Sequence, residues 1–239
     1  MTTRTAKSPG YSLQPALPLD YSASATGLNV SLAVVPEQSS ERSELEQSIT
    51  RKFENVFGAQ LTHFLPELLR LRISEELGAV VGIRPARDGA LFLEQYIDRR
   101  IEQFVAQAYG TPVDRDQVVE IGNLAADLPG TSYMLFAVLA TVLDQAGFRW
   151  VTCTVTPQVE AMLTRMQFSY RTICSADPTR LEYESADWGE YYESRPCVIV
   201  GDVRDAALRI ASNPELSALV SQFARPIEQM AAHLGGAKS

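Results

Sequence analysis

One acidic residue lies inside an apolar stretch near the middle of this chain. Glu120 falls within residues 118–125 (VVEIGNLA), and that composition predicts a buried strand. Burial disfavours the charged form of a carboxylic acid and raises its pKa toward the range a general base needs. Glu120 is therefore a candidate general base. The alternative is structural, because a charged strand residue often pairs with a buried arginine such as Arg84.

A turn containing a glycine follows this strand. Residues 126–134 (ADLPGTSYM) place Gly130, Thr131 and Ser132 at the start of a helix predicted over 131–146. Such a turn can seat a phosphate group, because free backbone N–H groups and the helix dipole favour negative charge there. A lone glycine before a helix is also an ordinary turn. The two interpretations are a seat for a phosphate-bearing cofactor and a simple connection.

Two other segments carry side chains that could contact a substrate. In residues 92–98 (FLEQYID), Glu94, Tyr96 and Asp98 would share one face of an extended segment and could hold an ammonium group. They could equally be solvated loop residues. In residues 188–192 (WGEYY), Trp188 begins an aromatic group that either packs a core or an edge, or lines a tunnel or an interface. Packing is the favoured interpretation.

Other catalytic classes lack their sequence patterns. No serine lies in a GxSxG motif, and His63 and His233 are far apart in the chain. Cys153, Cys174 and Cys197 show neither CxxC nor Cys/His spacing, so neither a disulfide framework nor a metal site is predicted. Serine hydrolases, cysteine-nucleophile enzymes and zinc proteins are therefore disfavoured.

Length and charge limit the architecture and the partners. The chain has 239 residues, of which 46% are hydrophobic, and this suits one main domain with one core. The formal net charge is −8 and no lysine or arginine run is dense, so we expect no nucleic-acid partner. No apolar run approaches the roughly 18 residues of a membrane span. Since the N-terminal segment lacks a secretory pattern, we expect a cytoplasmic protein.

The elements that position these residues alternate between strands and helices. Residues 1–27 are rich in Ser, Thr, Pro and Ala, and we expect a disordered tail there. Strands are predicted at 29–35, 79–84, 118–125, 150–156, 180–184 and 196–203. Helices are predicted within 41–61, in the second half of 90–110, at 131–146, from Pro157 to Met166, and at 214–234. Residues 65–78 fit a strand or a helix. This alternation indicates an α/β sandwich.

Several of these segments together resemble the thermostable hemolysin family. They are residues 82–86 (GIRPA) with 92–98, residues 118–125, residues 147–157 (GFRWVTCTVTP) and residues 188–192. That family is similar to the GNAT acyltransferases and to the acyl-homoserine lactone synthases. The resemblance implies an α/β fold with a GNAT-like mixed sheet flanked by helices. It also implies an acyltransferase domain over 28–203 and a C-terminal helical extension with a tail over 204–239.

The resemblance further implies a bacterial acyltransferase that moves an acyl group from a thioester to the amine of a small acceptor, such as an amino acid. Glu120 matches the glutamate in the corresponding strand of the lactone synthases and would be the base. Those enzymes carry an arginine three residues later, where this chain has Asn123. Asparagine cannot bind a carboxylate bidentately as arginine does. Asn123 is accordingly predicted to contact the substrate or the oxyanion.

In this scheme acyl-CoA or an acyl carrier protein is the donor and co-substrate, with no bound cofactor and no metal. The donor contacts are Leu124, Ala125, Gly130, Thr131 and Ser132, and the acceptor contacts are Arg84, Glu94, Tyr96, Asp98 and Trp188. Two alternatives remain: the membrane-active hemolysin that the family name implies, and a non-catalytic acyl-ligand-binding protein of the same fold. The acidic net charge disfavours the first at an anionic membrane. A homodimer is compatible with the sequence.

Overall fold

The fold is built around a mixed sheet of seven strands. The structure is a computed structural model that describes residues 30–181 and 188–236. The strands are β1 Val30–Pro36, β2 Glu67–Ile73, β3 Glu76–Pro85, β4 Val118–Ala126, β5 Trp150–Val155, β6 Tyr170–Ser175 and β7 Cys197–Asp202. They lie in the order β1-β2-β3-β4-β5-β7-β6. β4 and β5 pair in parallel, and the other neighbours pair antiparallel. The predicted tail, residues 1–27, lies outside the described residues.

Helices flank the sheet, which confirms the predicted α/β class. They are α1 Arg42–Phe57, α2 Ile101–Tyr109, α3 Thr131–Gln145, α4 Pro157–Arg165, α5 Val203–Ser212, α6 Pro214–Ser221 and α7 Ala224–Gly235. Short 3₁₀ turns lie at Ala86–Asp88, Phe92–Tyr96, Arg115–Gln117, Pro178–Arg180 and Tyr191–Ser194. The sequence left the first half of 90–110 undecided, and the structure forms the Phe92–Tyr96 turn there.

The main core lies between α3 and one face of the sheet. Leu135, Leu139 and Leu143 of α3 are buried and belong to one cluster with Val119 and Ile121 of β4. Helices α5, α6 and α7 contribute to the same cluster, so α3 is covered on both sides. This burial explains why α3 is apolar around most of its circumference. The predicted C-terminal helical extension is confirmed and shares the core of the sheet.

The opposite face of the sheet carries Glu120. Successive residues of a strand point to opposite faces, so Glu120 faces away from the α3 core that takes Val119 and Ile121. This face is covered by α1, α2 and the Phe92–Tyr96 turn, which form two further apolar clusters. Glu120 is therefore enclosed by loop and helix residues on its own face.

Two predictions of secondary structure were wrong, and a third lies mostly outside the described residues. Strand β6 was missed because Tyr170–Ser175 forms an exposed edge of the sheet and lacks a clean apolar alternation. Of the strand predicted at 180–184, Arg180 lies in a 3₁₀ turn and residues 182–184 lie outside the described chain. The single helix predicted at 214–234 is two helices, α6 and α7, and α5 precedes them. Pro226 explains the break, because it has no N–H to bond the carbonyl of Gln222.

Candidate functional site

The two parallel strands at the centre of the sheet separate directly after Glu120. Strand β4 pairs with β5 through Val118, Val119 and Glu120, whose partners are Trp150, Val151 and Thr152. Residues 118–121 of β4 are buried, whereas residues 122–124 are partly exposed although the strand is central. These residues of a central strand are partly exposed because β5 no longer pairs with β4 beyond Glu120. The last β4–β5 pair therefore contains Glu120, and we call the gap between the two strands beyond this pair the cleft.

A β-bulge deforms β4 at the same place. Gly82 of β3 lies opposite Gly122, and Val80 lies opposite Ala125. Two residues of β4, Asn123 and Leu124, thus oppose one residue of β3, and Asn123 has a φ of 50°. Such a bulge bends its strand and leaves backbone groups outside the ladder. Local propensity does not predict it, because asparagine is one of several residues that tolerate a positive φ.

The side chain of Asn123 is engaged within the chain. Its Oδ1 accepts the N–H of Leu65 at 2.9 Å, and its Nδ2 donates to the carbonyl of His63 at 3.4 Å. Gly82 makes room for this segment, since a Cβ there would lie 2.9 Å from Leu65 Cβ. The amide of Asn123 therefore anchors the segment at 63–65 across the bulge. It does not point freely into the cleft, as a side-chain contact to substrate would require.

Glu120 is buried and held by backbone donors. Only 4% of the surface of this residue is exposed to solvent. The N–H of Phe92 donates to Oε2 at 2.9 Å, and the N–H of Leu93 donates to Oε1 at 3.0 Å. Burial raises the pKa of Glu120 to about 7, and these two N–H groups together with the charge of Arg84 limit the rise. A carboxyl group that titrates near neutrality in a cleft is a candidate general base.

Arg84 lies beside Glu120 without pairing to it. The two residues are cross-strand partners on β3 and β4. Nη1 of Arg84 donates to the carbonyl of Ala90 at 2.8 Å, and the described residues show no ion pair between Arg84 and Glu120. The structural alternative, in which Glu120 pairs with a buried arginine, is therefore wrong about the identity of the partner. Backbone N–H groups of the Phe92–Tyr96 turn take that place.

Glu94, Tyr96 and Asp98 do not form an extended acidic face, because the chain makes a 3₁₀ turn at Phe92–Tyr96. The carboxylate of Glu94 binds Arg115 through both oxygens. Burial opposes ionisation, but the hydrogen bonds from Arg115 and from the backbone hold the pKa of Glu94 below its usual range. Asp98 forms an ion pair with Arg180. Each carboxylate already has a cationic partner within the chain.

Trp188 packs within an aromatic cluster. Its ring centroid lies 5.2 Å from that of Tyr191, 5.7 Å from that of Phe92 and 5.9 Å from that of Tyr192. The hydroxyl groups of Tyr96 and Tyr192 are 2.5 Å apart, and burial raises the pKa of Tyr96. The cluster supports the Phe92–Tyr96 turn from outside, so these aromatic residues pack in the way that the favoured interpretation predicts.

The turn before α3 lies at the end of β4. Gly130 has a φ of 80° and caps α3 without help from a side chain. Thr131 is 1% exposed, and its hydroxyl lies 2.7 Å from the carbonyl of Leu128 and 2.9 Å from that of Gly78. Thr131 thus fixes the turn to β3, while Gly130 and Ser132 remain partly exposed. Leu124 and Ala125 lead from the bulge toward this turn.

An apolar cavity lies against the α3 face of the sheet beside the cleft. Its volume is about 60 Å³. The walls include Ile121 and Cys153, the first residues beyond the last β4–β5 pair, and Phe136, Ala140, Leu163 and Ala206 of the covering helices. Burial raises the pKa of the Cys153 thiol. No sequence pattern predicts this cavity, because its walls come from elements that are distant along the chain.

Comparisons with known proteins support this description. The family model described as thermostable hemolysin matches residues 35–207. FeeM, an N-acyl amino acid synthase from uncultured soil microbes, is 11% identical and has a TM-score of 0.53, covering 80% of this chain and 99% of its own. The AHL synthase LasI is 10% identical with a TM-score of 0.48, covering 82% of this chain and 95% of its own. No curated protein sequence matches. The similarity to FeeM shows a shared fold, and the expected α/β fold with a mixed sheet flanked by helices is confirmed.

Proposed function

We propose, from the premise that this chain belongs to the thermostable hemolysin family, that it is an acyltransferase. It would move an acyl group from an acyl thioester to the amine of a small acceptor such as an amino acid. One observation carries the proposal: a buried carboxyl group with a pKa of about 7 lies in the last β4–β5 pair, where the cleft begins. FeeM, which shares the fold, is described as an N-acyl amino acid synthase.

In the proposed reaction Glu120 is the base. Its ionised carboxylate removes a proton from the acceptor amine, and the amine nitrogen attacks the thioester carbonyl. The C–N bond forms, the C–S bond breaks, and the thiolate leaves and takes up a proton. The N–H groups of Phe92 and Leu93 stabilise the carboxylate before the proton arrives. A pKa near neutrality suits a base that must accept a proton and then release it.

The bulge is the proposed source of oxyanion stabilisation. Backbone N–H groups that point at developing negative charge lower the barrier to acyl transfer. Asn123 and Leu124 lie outside the regular β3–β4 register, so their backbone N–H and C=O groups are not aligned for the ladder hydrogen bonds with β3. We assign this role to the backbone at Asn123, because its side-chain amide already binds the segment at 63–65.

The donor would lie along the exposed part of β4. Its phosphopantetheine arm would pass Leu124 and reach the turn at Gly130 and Ser132, where the N-terminus of α3 favours a phosphate. Ala125 was also predicted as a donor contact, but it is 1% exposed and would support this path from within the fold. Thr131 would hold the turn and would not contact the donor directly. CoA and an acyl carrier protein present the same arm. The acyl chain would enter the apolar cavity next to the last β4–β5 pair.

The acceptor would bind beside Arg84. The guanidinium group has five N–H donors, and the one hydrogen bond described for it goes to Ala90. An acceptor carboxylate at Arg84 would place the neighbouring amine toward Glu120, its cross-strand partner. Glu94, Tyr96, Asp98 and Trp188 were also predicted as acceptor contacts. Because each already has a partner within the chain, we propose that they support the site.

A series of acyl thioesters tests donor binding. We expect acyl-CoA to raise the melting temperature more as the chain lengthens, because each buried methylene adds about 0.8 kcal/mol until the cavity is full. Acetyl-CoA is the internal control, since it carries the nucleotide without a chain. Thermal shift would be measured for each length and for acylated carrier protein. Equal stabilisation by every thioester would contradict the proposed donor site, and so would the absence of stabilisation by any of them.

Two other functions each have a supporting observation. The family description favours a membrane-active hemolysin. Across the described residues no helix is long and apolar enough to cross a membrane. The backbone N–H groups of Phe92 and Leu93 already bind both oxygens of the Glu120 carboxylate, and this favours a non-catalytic acyl-binding protein. Dye release from neutral liposomes would support the first, and length-dependent binding without thiol release in the presence of amines would support the second.

A further inference from the structure

Arg115 makes an unusually complete set of contacts next to the proposed site. It lies in the 3₁₀ turn that leads into β4, and its side chain is 15% exposed. Its guanidinium group donates to the carbonyls of Ala86 (2.6 Å) and Gly89 (2.5 Å) and to the carboxylates of Glu94 (2.7 and 2.9 Å) and Glu102 (2.8 Å). Arg115 thus ties both 3₁₀ turns between β3 and α2 to the start of β4.

Glu94 passes this anchoring on to the backbone of its own turn. Its Oε2 accepts the N–H of Leu91 at 2.9 Å, and its Oε1 accepts the N–H of Ile101 at 2.9 Å. The next two N–H groups, those of Phe92 and Leu93, donate to Glu120. Three successive backbone donors are therefore aimed at two carboxylates. The orientation of the Phe92 and Leu93 N–H groups therefore depends on the hydrogen bond between Glu94 and the N–H of Leu91.

We infer that Arg115 is a positioning residue for Glu120. It binds Glu94 through both oxygens and holds the Leu91–Glu94 backbone so that two N–H groups face the Glu120 carboxylate. Arg115 itself contacts neither Glu120 nor the cleft in the described structure. The inference deepens the proposed function, and its catalytic consequence rests on that function. The effect on the proton affinity of Glu120 does not, and it can be measured in the absence of any reaction.

The effect on proton affinity has a defined sign. Hydrogen bonds to the ionised form of an acid lower its pKa, so losing the Phe92 and Leu93 donors raises that of Glu120. The other ionisable groups that face Glu120 are Arg84 on β3 and Glu94 and Tyr96 on the turn, whereas Cys153 of β5 lies on the α3 face of the sheet. Removing Arg115 leaves Glu94 without its cation, and an unpaired negative charge nearby also raises the pKa of Glu120.

The test compares Arg115→Met and Arg115→Lys with a matched control. Arg72→Met removes an arginine whose side chain is 16% exposed, which pairs with Glu44 and donates to the carbonyl of Glu75, far from the Phe92–Tyr96 turn. The pKa of Glu120 would be read from its carboxyl ¹³C signal in glutamate-labelled protein, assigned by its loss in Glu120→Gln. We expect a rise of about one unit in R115M. R72M should leave the pKa unchanged.

Lysine separates geometry from charge. R115K keeps the positive charge and the packed stem but cannot bind both oxygens of Glu94 as a fork does. We expect a rise in the pKa of Glu120 that is smaller than in R115M and in the same direction. An unchanged pKa in folded R115K would overturn the inference, because it would mean that Arg115 acts through charge alone. An unchanged pKa in R115M, or an equal shift in R72M, would overturn it as well.

A second readout links the inference to turnover. In the acyl-transfer assay, the acidic limb of the pH–rate profile of R115M should move to higher pH by the same number of pH units as the measured rise in the pKa of Glu120. Activity should recover at higher pH. If the wild-type protein transfers no acyl group, the proposed function fails, while the carboxyl titration still decides the role of Arg115. A shifted pKa with an unshifted acidic limb would show that Arg115 positions Glu120 but that Glu120 is not the base.

Discussion

Glu120→Gln is expected to lower acyl transfer per folded molecule by about 10²–10⁴-fold, the usual contribution of a general base. Glutamine has nearly the same shape as glutamate but cannot accept the proton from the acceptor amine. Donor binding should survive, because the cavity and the turn before α3 do not depend on the carboxylate. The measurement is single-turnover thiol release at saturating acyl thioester, normalised to the folded fraction from a denaturant titration.

Stability separates the catalytic interpretation from a structural one. The amide of E120Q has one acceptor oxygen, so one of the Phe92 and Leu93 N–H groups loses its partner, at a cost of about 1–3 kcal/mol. The variant also removes a buried charge, which offsets part of this cost. We expect a modest fall in the free energy of unfolding together with the loss of turnover. Retained turnover per folded molecule would show that Glu120 only holds the turn.

The same carboxyl group predicts how wild-type stability depends on pH. The folded-state pKa of about 7 lies above the ordinary value of 4.5, so the folded chain binds this proton more tightly than the unfolded chain between those values. The contribution of Glu120 to the free energy of unfolding therefore falls as pH rises from about 4.5 to 7. E120Q should lack this component, which a difference between the two unfolding curves would reveal.

Ala140→Phe is expected to shorten the acyl chain that the protein accepts. Ala140 lies on α3 in the wall of the apolar cavity, and a phenyl ring there would take the space of the distal methylenes. One missing or excess methylene in a pocket changes specificity by about 10–200-fold, so kcat/KM for the longest wild-type substrate should fall at least to that extent. The shortest thioesters should keep their kcat/KM, which would be measured across the length series.

A neighbouring position provides the control for this substitution. Ala137 also lies buried on α3 but does not line the cavity. Ala137→Val and Ala140→Val add the same atoms, and both carry the cost of overpacking. Only the change at 140 should move the length preference. A parallel loss for all lengths in A140F, or a shifted preference in A137V, would contradict the assignment of the cavity to the acyl chain.

The local pattern of the sequence was enough to find β4, α3 and the acidic residue within β4. The β-branched residues Val118, Val119 and Ile121 surround Glu120, so both the buried strand and its acidic residue could be recognised. Resemblance to a family then supplied the mixed sheet. The break between α6 and α7 could also have been recognised, because Pro226 cannot continue a helix hydrogen-bond pattern.

The partners of the site residues could not be predicted, because they depend on tertiary contacts. The donors to Glu120 are backbone N–H groups of Phe92 and Leu93, which any residue other than proline could supply. Glu94 looked like a substrate contact, and the structure instead pairs it with Arg115 across two turns. The positive φ of Asn123 depends on the bulge and on Leu65, neither of which leaves a pattern in the sequence.

Detection of an amide product is the most direct test of acyl transfer. Purified protein would be incubated with an isotope-labelled long-chain acyl-CoA, and in parallel with the same chain on a carrier protein, in the presence of a mixture of amino acids. Mass spectrometry would follow labelled N-acyl products and a thiol assay would follow the released carrier. We predict a labelled amide in equal amount to the free thiol, formed only with an acceptor amine and lost in E120Q. Labelled thioester recovered intact with every donor and acceptor, together with dye release from liposomes by the same preparation, would contradict acyl transfer and favour the hemolysin.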